Sequence, residues 1–390
     1  MKILHTVEYY HPSVGGSQEV VKQLSERLTQ LGHEVTVATT YLPNRRSSVL
    51  NGVKIVDFKI SGNLVQGFQG ETQRYQEFLK NSNFDIIMNY AAQQWTTDLA
   101  LPILKHIKTK KILVPCGFSG LYSPKYSTYY KMMKTWLKEY DVCVYLSEMY
   151  QDIRFAQECG ANNQVIIPNG ASANEFTKVP KLNIRKLLKI PENSLLILHV
   201  GSHTGLKGHQ EAIQVFKKAK IRDSTLLIVA NKINLRCWLK CHISKQVYQL
   251  NPTSRIANKQ IIIANLSREE TIAAYHEAEL FLFPSNIECS PLVLFECMAS
   301  RTPFLTTDVG NAAEIVKWSN AGLLLPTVKF SNGYCKAELE GSRKILEGIY
   351  RNRKQREMMA MSGYEAWQRE FTWESITLRY EKLYNDLIDE

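Results

Sequence analysis

The chain is predicted to be an α/β protein built from two doubly wound, parallel-sheet domains in tandem. Three observations carry that prediction. At 390 residues the chain exceeds one typical domain of roughly 100–200 residues. Short buried strands alternate with amphipathic helices, the pattern of parallel sheets covered on both faces. The alternation then starts afresh after Pro180.

In the first half, Lys2–Val7, Glu34–Thr39, Lys54–Phe58, Asp85–Tyr90, Lys111–Cys116, Val142–Ser147 and Gln164–Pro168 read as strands. Between the first two, Val20, Val21, Leu24, Leu28 and Leu31 form one helical stripe, with Gly32 as its stop. In the second half the strands are Leu195–Val200, Thr225–Ala230, Gln260–Ala264, Leu280–Phe283, Pro303–Thr307 and Gly322–Leu325. Helical stretches such as Gln210–Lys220 and Glu269–Ala278 separate them. The tail, Trp373–Ile388, reads as a long helix with Ile376, Tyr380, Leu383, Tyr384 and Leu387 facing inward. Domains are drawn at 1–175 and 176–370, with 371–390 returning to the first. Two such lobes are expected to enclose a cleft, a common place for ligands.

Composition is ordinary for a globular protein, 44% hydrophobic and 22% charged. Met1–Glu8 lacks the apolar core of a signal peptide, and no apolar run approaches the roughly 20 residues that span a bilayer. A cytoplasmic protein with its eight cysteines reduced is expected. The formal charge of +11 is diffuse, with 19 Lys/Arg against 15 Asp/Glu in residues 1–180 and 29 against 22 in the remainder. Without a basic tail, arginine-rich arm or zinc-finger spacing, nucleic acid is not an expected partner. Anionic substrates or an anionic membrane surface suit such a field better.

The most informative stretch runs from Phe283 to Glu296. A strand enters a Pro284-Ser285 turn, then come Glu288, a loop of small residues through Ser290, and a helix that opens near Leu292 and Val293 and carries Glu296. Beyond a strand's carboxyl end, free helix-start amides receive anions. A carboxylate on either side of a bound phosphate can grip sugar hydroxyls, so this arrangement fits a nucleotide-sugar. Other marked segments are His11-Pro12-Ser13-Val14-Gly15-Gly16-Ser17, Ile167-Pro168-Asn169-Gly170 and Val200-Gly201 followed by Lys207-Gly208. Thr307-Asp308-Val309-Gly310 with Glu314-Ile315-Val316, and Phe371-Thr372-Trp373-Glu374, complete the series.

In that order the segments resemble the family-four retaining glycosyltransferases, within the group 1 glycosyltransferases, and the resemblance runs along nearly the whole chain. It implies the GT-B fold of two Rossmann-like domains facing a cleft. The carboxyl-terminal lobe would bind a nucleoside-diphosphate sugar, with a UDP-sugar favoured, and the amino-terminal lobe a glycan or lipid-linked acceptor in cell-surface polysaccharide synthesis. Glu288 would contact the transferred hexose near its reacting end, and Glu296 the ribose hydroxyls. Lys207 would neutralise the leaving diphosphate, and the amides of Leu292 and Val293 would hold its oxygens beside Ser290. Nucleobase contacts would come from the backbone near Asn265 and Leu266, and Gly15 and Gly16 would face the cleft.

Two positions depart from the family pattern. Ser202 stands where an arginine usually follows the Val-Gly, which removes one diphosphate cation, and nearby His203 is a candidate to supply part of that charge. Cys116 stands where a histidine usually lies beside donor sugar and acceptor, with Asn169 also assigned to the cleft. Two alternatives stay open, a nucleotide-sugar 2-epimerase, which shares the two-lobed fold, and a catalytically inactive binding protein, which the two departures favour.

The segment Lys125–Tyr140 interleaves Lys125, Lys131, Lys134 and Lys138 with Tyr126, Tyr129, Tyr130, Met132, Met133, Trp136 and Leu137. It reads either as a helix docked on the sheet or as a contact with anionic lipid at the inner face of the plasma membrane. Cys237, Cys241 and His242 offer three metal ligands at best, and structural packing on one helical face is the expected role. No Asp-x-Asp pair occurs, so no cofactor and a metal-independent reaction are expected.

Overall fold

Strands buried on both faces need near-continuous apolar runs, and the chain supplies them twice. The computed structural model describes residues 1–81, 83–178 and 180–389. Val179 and Glu390, which fall in the expected ranges 176–370 and 371–390, lie outside the described residues, as does Ser82. The chain divides into a first unit, Met1–Asn169 with Trp373–Glu390, and a second, Gly170–Thr372.

The first unit holds an eight-stranded sheet in the order β10-β9-β8-β7-β1-β2-β4-β3. These strands are β1 (Lys2–Thr6), β2 (Glu34–Thr40), β3 (Val49–Leu50), β4 (Val53–Phe58), β7 (Ile86–Tyr90), β8 (Lys110–Val114), β9 (Val142–Tyr145) and β10 (Gln164–Ile166). All pairings are parallel except β3 with β4. A separate antiparallel hairpin joins β5 (Ile60–Asn63) to β6 (Gly67–Gly70). Neither β3 nor the hairpin stands out in the sequence, because two to four residues with glycines carry no periodicity. The helix Gly16–Gln30 buries Val20, Val21, Leu24 and Leu28 as expected. Leu31 does not join that stripe: it is the residue that ends the helix, and its side chain is 45% exposed.

The second unit repeats the plan with six parallel strands in the order β13-β12-β11-β14-β15-β16. They are β11 (Leu195–Val200), β12 (Ser224–Val229), β13 (Lys259–Ala264), β14 (Leu280–Phe283), β15 (Phe304–Thr307) and β16 (Gly322–Leu325). An antiparallel pair, β17 (Thr327–Lys329) and β18 (Cys335–Ala337), follows. One core lies on either face of the sheet, the first around Leu196, Phe281 and Phe295, the second around Ile197, Phe216 and Leu282.

The helix Ser127–Trp136 settles the two readings of its segment. Tyr129, Tyr130, Met133, Trp136 and Leu137 are buried in the core of the first unit, against Phe118, Tyr145 and Phe155. The lysines point to water, and of the interleaved apolar residues only Met132 is strongly exposed. The aromatic face a membrane would need is thus spent on the sheet, which corrects the lipid-contact expectation. No helix among the described residues is long and apolar enough to cross a membrane.

The last helix, Trp373–Asp389, belongs to the first unit and is fastened by polar pairs as well as by Ile376, Tyr380, Tyr384 and Leu387. Arg27 pairs with Glu374 at 2.8 Å and His33 with Glu381 at 2.7 Å. On β1, the buried His5 places Nδ1 2.8 Å from Ser25 Oγ and Nε2 3.1 Å from Tyr384 Oη. Burial lowers its pKa to about 3, so the ring is neutral. Tyr384 O–H points at Met88 Sδ, 3.2 Å away, which leaves the phenol oxygen to accept from His5 Nε2–H. Tyr384→Phe would strand that N–H, and urea unfolding is expected to show a loss of about 1–3 kcal/mol; an unchanged midpoint would contradict this role.

Candidate active site

In the second unit, adjacent parallel strands β11 and β14 deliver two loops to the same edge of the sheet. The backbone N–H of Asn286 donates to Leu206 O at 2.9 Å, stitching one loop to the other. Gly208 has φ +69°, and a Cβ there would sit 1.8 Å from Pro284 O, so only glycine permits the approach. Across this junction Lys207 Nζ lies 2.7 Å from Glu288 Oε1. Ser285 Oγ donates to the same carboxylate oxygen at 2.8 Å. Glu288 is largely buried, with 11% of its side chain exposed, and Lys207 retains 31%. A charge-assisted pair at this depth fixes both groups in orientation.

The next loop supports this one. Gly310, at φ +57°, lies beneath the Glu288–Cys289 backbone, where a Cβ would come within 2.2 Å of Cys289 O. Asn311 donates its backbone N–H to Cys289 O at 2.8 Å and its side-chain amide to Ser290 Oγ at 3.1 Å. The Thr307–Gly310 segment therefore acts through the loop that carries Glu288.

The helix Leu292–Ala299 starts immediately after this loop. Pro291 caps it from outside, at φ −71°. Leu292 and Val293 form that turn, whose amides have no intrahelical acceptor. Glu296, 8% exposed, follows one turn later and accepts from Arg268 Nη1 at 2.5 Å. Arg268 Nη2 donates to Glu175 at 2.8 Å, and the guanidinium lies 5.5 Å from the Phe176 ring. Arg268 is a neighbour of Glu296 that the sequence left unmarked. The capping box of Ser267 and Glu270 marks the helix start that presents it, directly after Asn265 and Leu266. Asn265 is exposed and Leu266 half-buried at the end of β13.

The loop from Gly201 to Gly208 has histidines beneath it. His209 Nε2 donates to Gly201 O at 2.9 Å, and His199 Nδ1 donates to Leu282 O at 2.8 Å. The ring of His209 lies 4.7 Å from His199 and stacks on His203 at 4.4 Å. Burial lowers the pKa of His199 to about 4 and that of His209 to about 2. His203 is also lowered by burial, with His242 adding to the effect. His203 is therefore neutral, contrary to the expectation that it replaces the cation missing at Ser202. The metal-ligand set differs as well: His203, not His242, joins Cys237 and Cys241, their ligand atoms lying within 4.8 Å of one another. His242 instead faces Trp238, with ring centroids 3.9 Å apart.

Four expected site residues lie in the first unit. Gly15 caps the helix Gly16–Gln30 in an extended conformation, φ −178°, so no left-handed backbone explains the glycine pair. Cys116 follows β8 at φ +57°, and burial pushes its thiol up to about 12. Asn169 is buried at the end of the unit's first segment. Gly201, Ser202, Lys207, Glu288, Ser290, Leu292, Val293 and Glu296 all lie in the second unit, on its β11 and β14 loops and the helix that follows β14.

Two family profiles match the chain, Glycosyltransferase Family 4 over residues 14–175 and Glycosyl transferases group 1 over residues 180–332. An uncharacterized glycosyltransferase of Methanocaldococcus jannaschii is 25% identical over 83% of this chain and 84% of its own. The N-acetyl-alpha-D-glucosaminyl L-malate synthase of Bacillus anthracis is 23% identical over 97% and 96%. Among solved structures, the sucrose-phosphate synthase of Thermosynechococcus elongatus superposes with a TM-score of 0.79 at 18% identity, over 100% of this chain and 99% of that one. Anabaena HepE, in complex with UDP and glucose, gives 0.74 at 13% over 99% and 100%. The chain belongs to the group 1 glycosyltransferases and has the GT-B fold.

Two outcomes follow from the packing. Gly208→Ala is expected to cost more than about 2 kcal/mol, since it adds a clash with Pro284 O to a left-handed backbone; wild-type thermal stability in this variant would refute the tight approach. His199 and His209 are neutral when folded but take up protons below about pH 6.5 once unfolded. The unfolded chain then binds more protons, so stability falls as pH drops from 7 towards 4, by about 2 kcal/mol per histidine at pH 5. Urea midpoints at pH 7 and pH 5 measure this, and equal midpoints would contradict it.

Proposed function

We propose that this group 1 glycosyltransferase moves a hexose from a UDP-sugar to a glycan or lipid-linked acceptor, with retention at the anomeric carbon. The observation that carries the reading is the Lys207–Glu288 pair, 2.7 Å apart beside the start of the helix Leu292–Ala299. A donor whose diphosphate rests on the Leu292 and Val293 amides meets an ammonium at the phosphate that departs. Its sugar meets the carboxylate of Glu288. The two groups thus flank the bond that breaks, one on each side. Lys207 stabilises charge that grows on the diphosphate as the glycosidic bond lengthens, while Glu288 orients the hexose hydroxyls. The leaving phosphate oxygen takes the acceptor's proton, so neither an Asp-x-Asp motif nor a divalent ion enters the reaction.

Glu296 clamps the ribose hydroxyls, and Arg268 holds that carboxylate in place. UDP is favoured because Anabaena HepE, a structural neighbour, is in complex with UDP and glucose. The acceptor class follows the relatives, which include a lipopolysaccharide 1,2-N-acetylglucosaminetransferase and a putative teichuronic acid biosynthesis glycosyltransferase. Acceptor binding is assigned to the first unit.

Nucleotide release from UDP-, GDP- and ADP-sugars, measured with and without bacterial glycans, tests the proposal. UDP-sugar turnover is expected to fall by at least about 100-fold in Glu288→Ala with UDP affinity little changed. Arg268→Ala is expected to weaken UDP binding by about tenfold or more. Binding without release would mark a non-catalytic binding protein, and a free epimerised sugar would mark an epimerase; either result overturns transfer.

A further inference from the structure

The side chains of His203, Cys237 and Cys241 converge although they come from two separate parts of the second unit. His203 lies in the loop after β11, four residues before Lys207. The cysteines stand one turn apart near the start of the helix Leu235–Leu250. His203 Nδ1 is 3.4 Å from Cys237 Sγ, and all three ligand atoms lie within 4.8 Å of one another. Around a tetrahedral zinc, with Zn–S about 2.3 Å and Zn–N about 2.0–2.1 Å, ligating nitrogen and sulfur are about 3.5 Å apart and two sulfurs about 3.8 Å. The His203–Cys237 distance matches that spacing, and the 4.8 Å limit on the remaining pairs needs a contraction of at most about 1.3 Å.

The backbone holds both halves in position. His203 N–H donates to Asn231 O at 3.0 Å, and Asn234 N–H donates back to His203 O at 2.7 Å. Asn234 also caps the helix, its side-chain oxygen accepting from Cys237 N–H at 3.0 Å. Gln210 Nε2 donates to Cys241 Sγ at 3.1 Å, the kind of outer hydrogen bond that steadies a thiolate ligand. Ser244 Oγ in turn donates to Gln210 Oε1 at 3.2 Å. The exposure of the ligands is small, with Cys241 and His203 fully buried and Cys237 at 9%.

We propose that His203, Cys237 and Cys241 bind one zinc ion, with a water in the fourth position. Two sulfurs and an imidazole select zinc over magnesium or manganese, which prefer oxygen ligands. The ion has no part in the glycosyl transfer. It ties the loop that carries Lys207 to the helix Leu235–Leu250, so that metal supply sets the rigidity of that loop.

The test is metal analysis of the full chain purified under reducing conditions from zinc-supplemented cells. About one zinc per chain is expected in the wild type, and less than about a tenth of that in Cys241→Ser and His203→Gln. Wild-type protein without zinc, or undiminished zinc in both variants, would overturn the proposal. Should the variants fail to fold, the chelator-treated wild type decides. Titration with Co(II) is expected to give a thiolate charge-transfer band, and Zn(II) to protect Cys237 and Cys241 from alkylation, as mapped by mass spectrometry. Absence of the band together with unprotected cysteines would equally overturn it.

Discussion

The second unit depends on how closely the loop after β11 approaches the loop after β14. Asn286 and Leu206 share a backbone hydrogen bond, Gly208 lies against Pro284 O, and the Lys207–Glu288 pair spans the same seam. Each contact needs the others. Without glycine at 208 the backbones part, and without that proximity a lysine and a carboxylate with limited access to water would both be left uncompensated. The ion pair is thus a product of the sheet order, which makes β11 and β14 neighbours although about 80 residues of chain separate them.

The seam is held in turn by residues on either side of it. Gly310 and Asn311 hold the Glu288–Ser290 backbone from below. His209 holds Gly201 O from the other side, with its ring kept neutral by burial. The departures at Ser202 and Cys116 lie outside this support. Cys116, in the first unit, presents a thiol that burial keeps protonated, a weak hydrogen-bonding group.

The parallel strands were legible because burial on both faces forces apolar runs that few other structures need. Leu195–Val200, Leu280–Phe283 and Gly322–Leu325 coincide with the expected spans. The short antiparallel pairs were not legible, since β5 and β6 are set by glycine turns and hydrogen bonds rather than by an apolar pattern. The helix Ser127–Trp136 shows a different limit. An aromatic stripe flanked by lysines has the same periodicity whether it meets lipid or a sheet, and only the three-dimensional packing distinguishes them. In the site itself, Lys207, Glu288 and Glu296 were marked by local context at strand ends and a helix start. Arg268 was not, because its partner Glu296 is 28 residues away along the chain, and His203 was marked only as a candidate charge, its partner Cys237 being 34 residues away. Side chains that meet only through tertiary structure leave no spacing to read.

On the proposed reading, the Lys207–Glu288 seam receives the junction between the diphosphate and the transferred sugar. A crystal structure with an intact, non-hydrolysable UDP-hexose analogue tests it most directly. A diphosphate oxygen is expected within hydrogen-bond distance of Lys207 Nζ and of the Leu292 or Val293 amide, with a hexose hydroxyl on Glu288. A donor bound with its diphosphate away from that helix start, or with Lys207 and Glu288 contacting only each other, would contradict it.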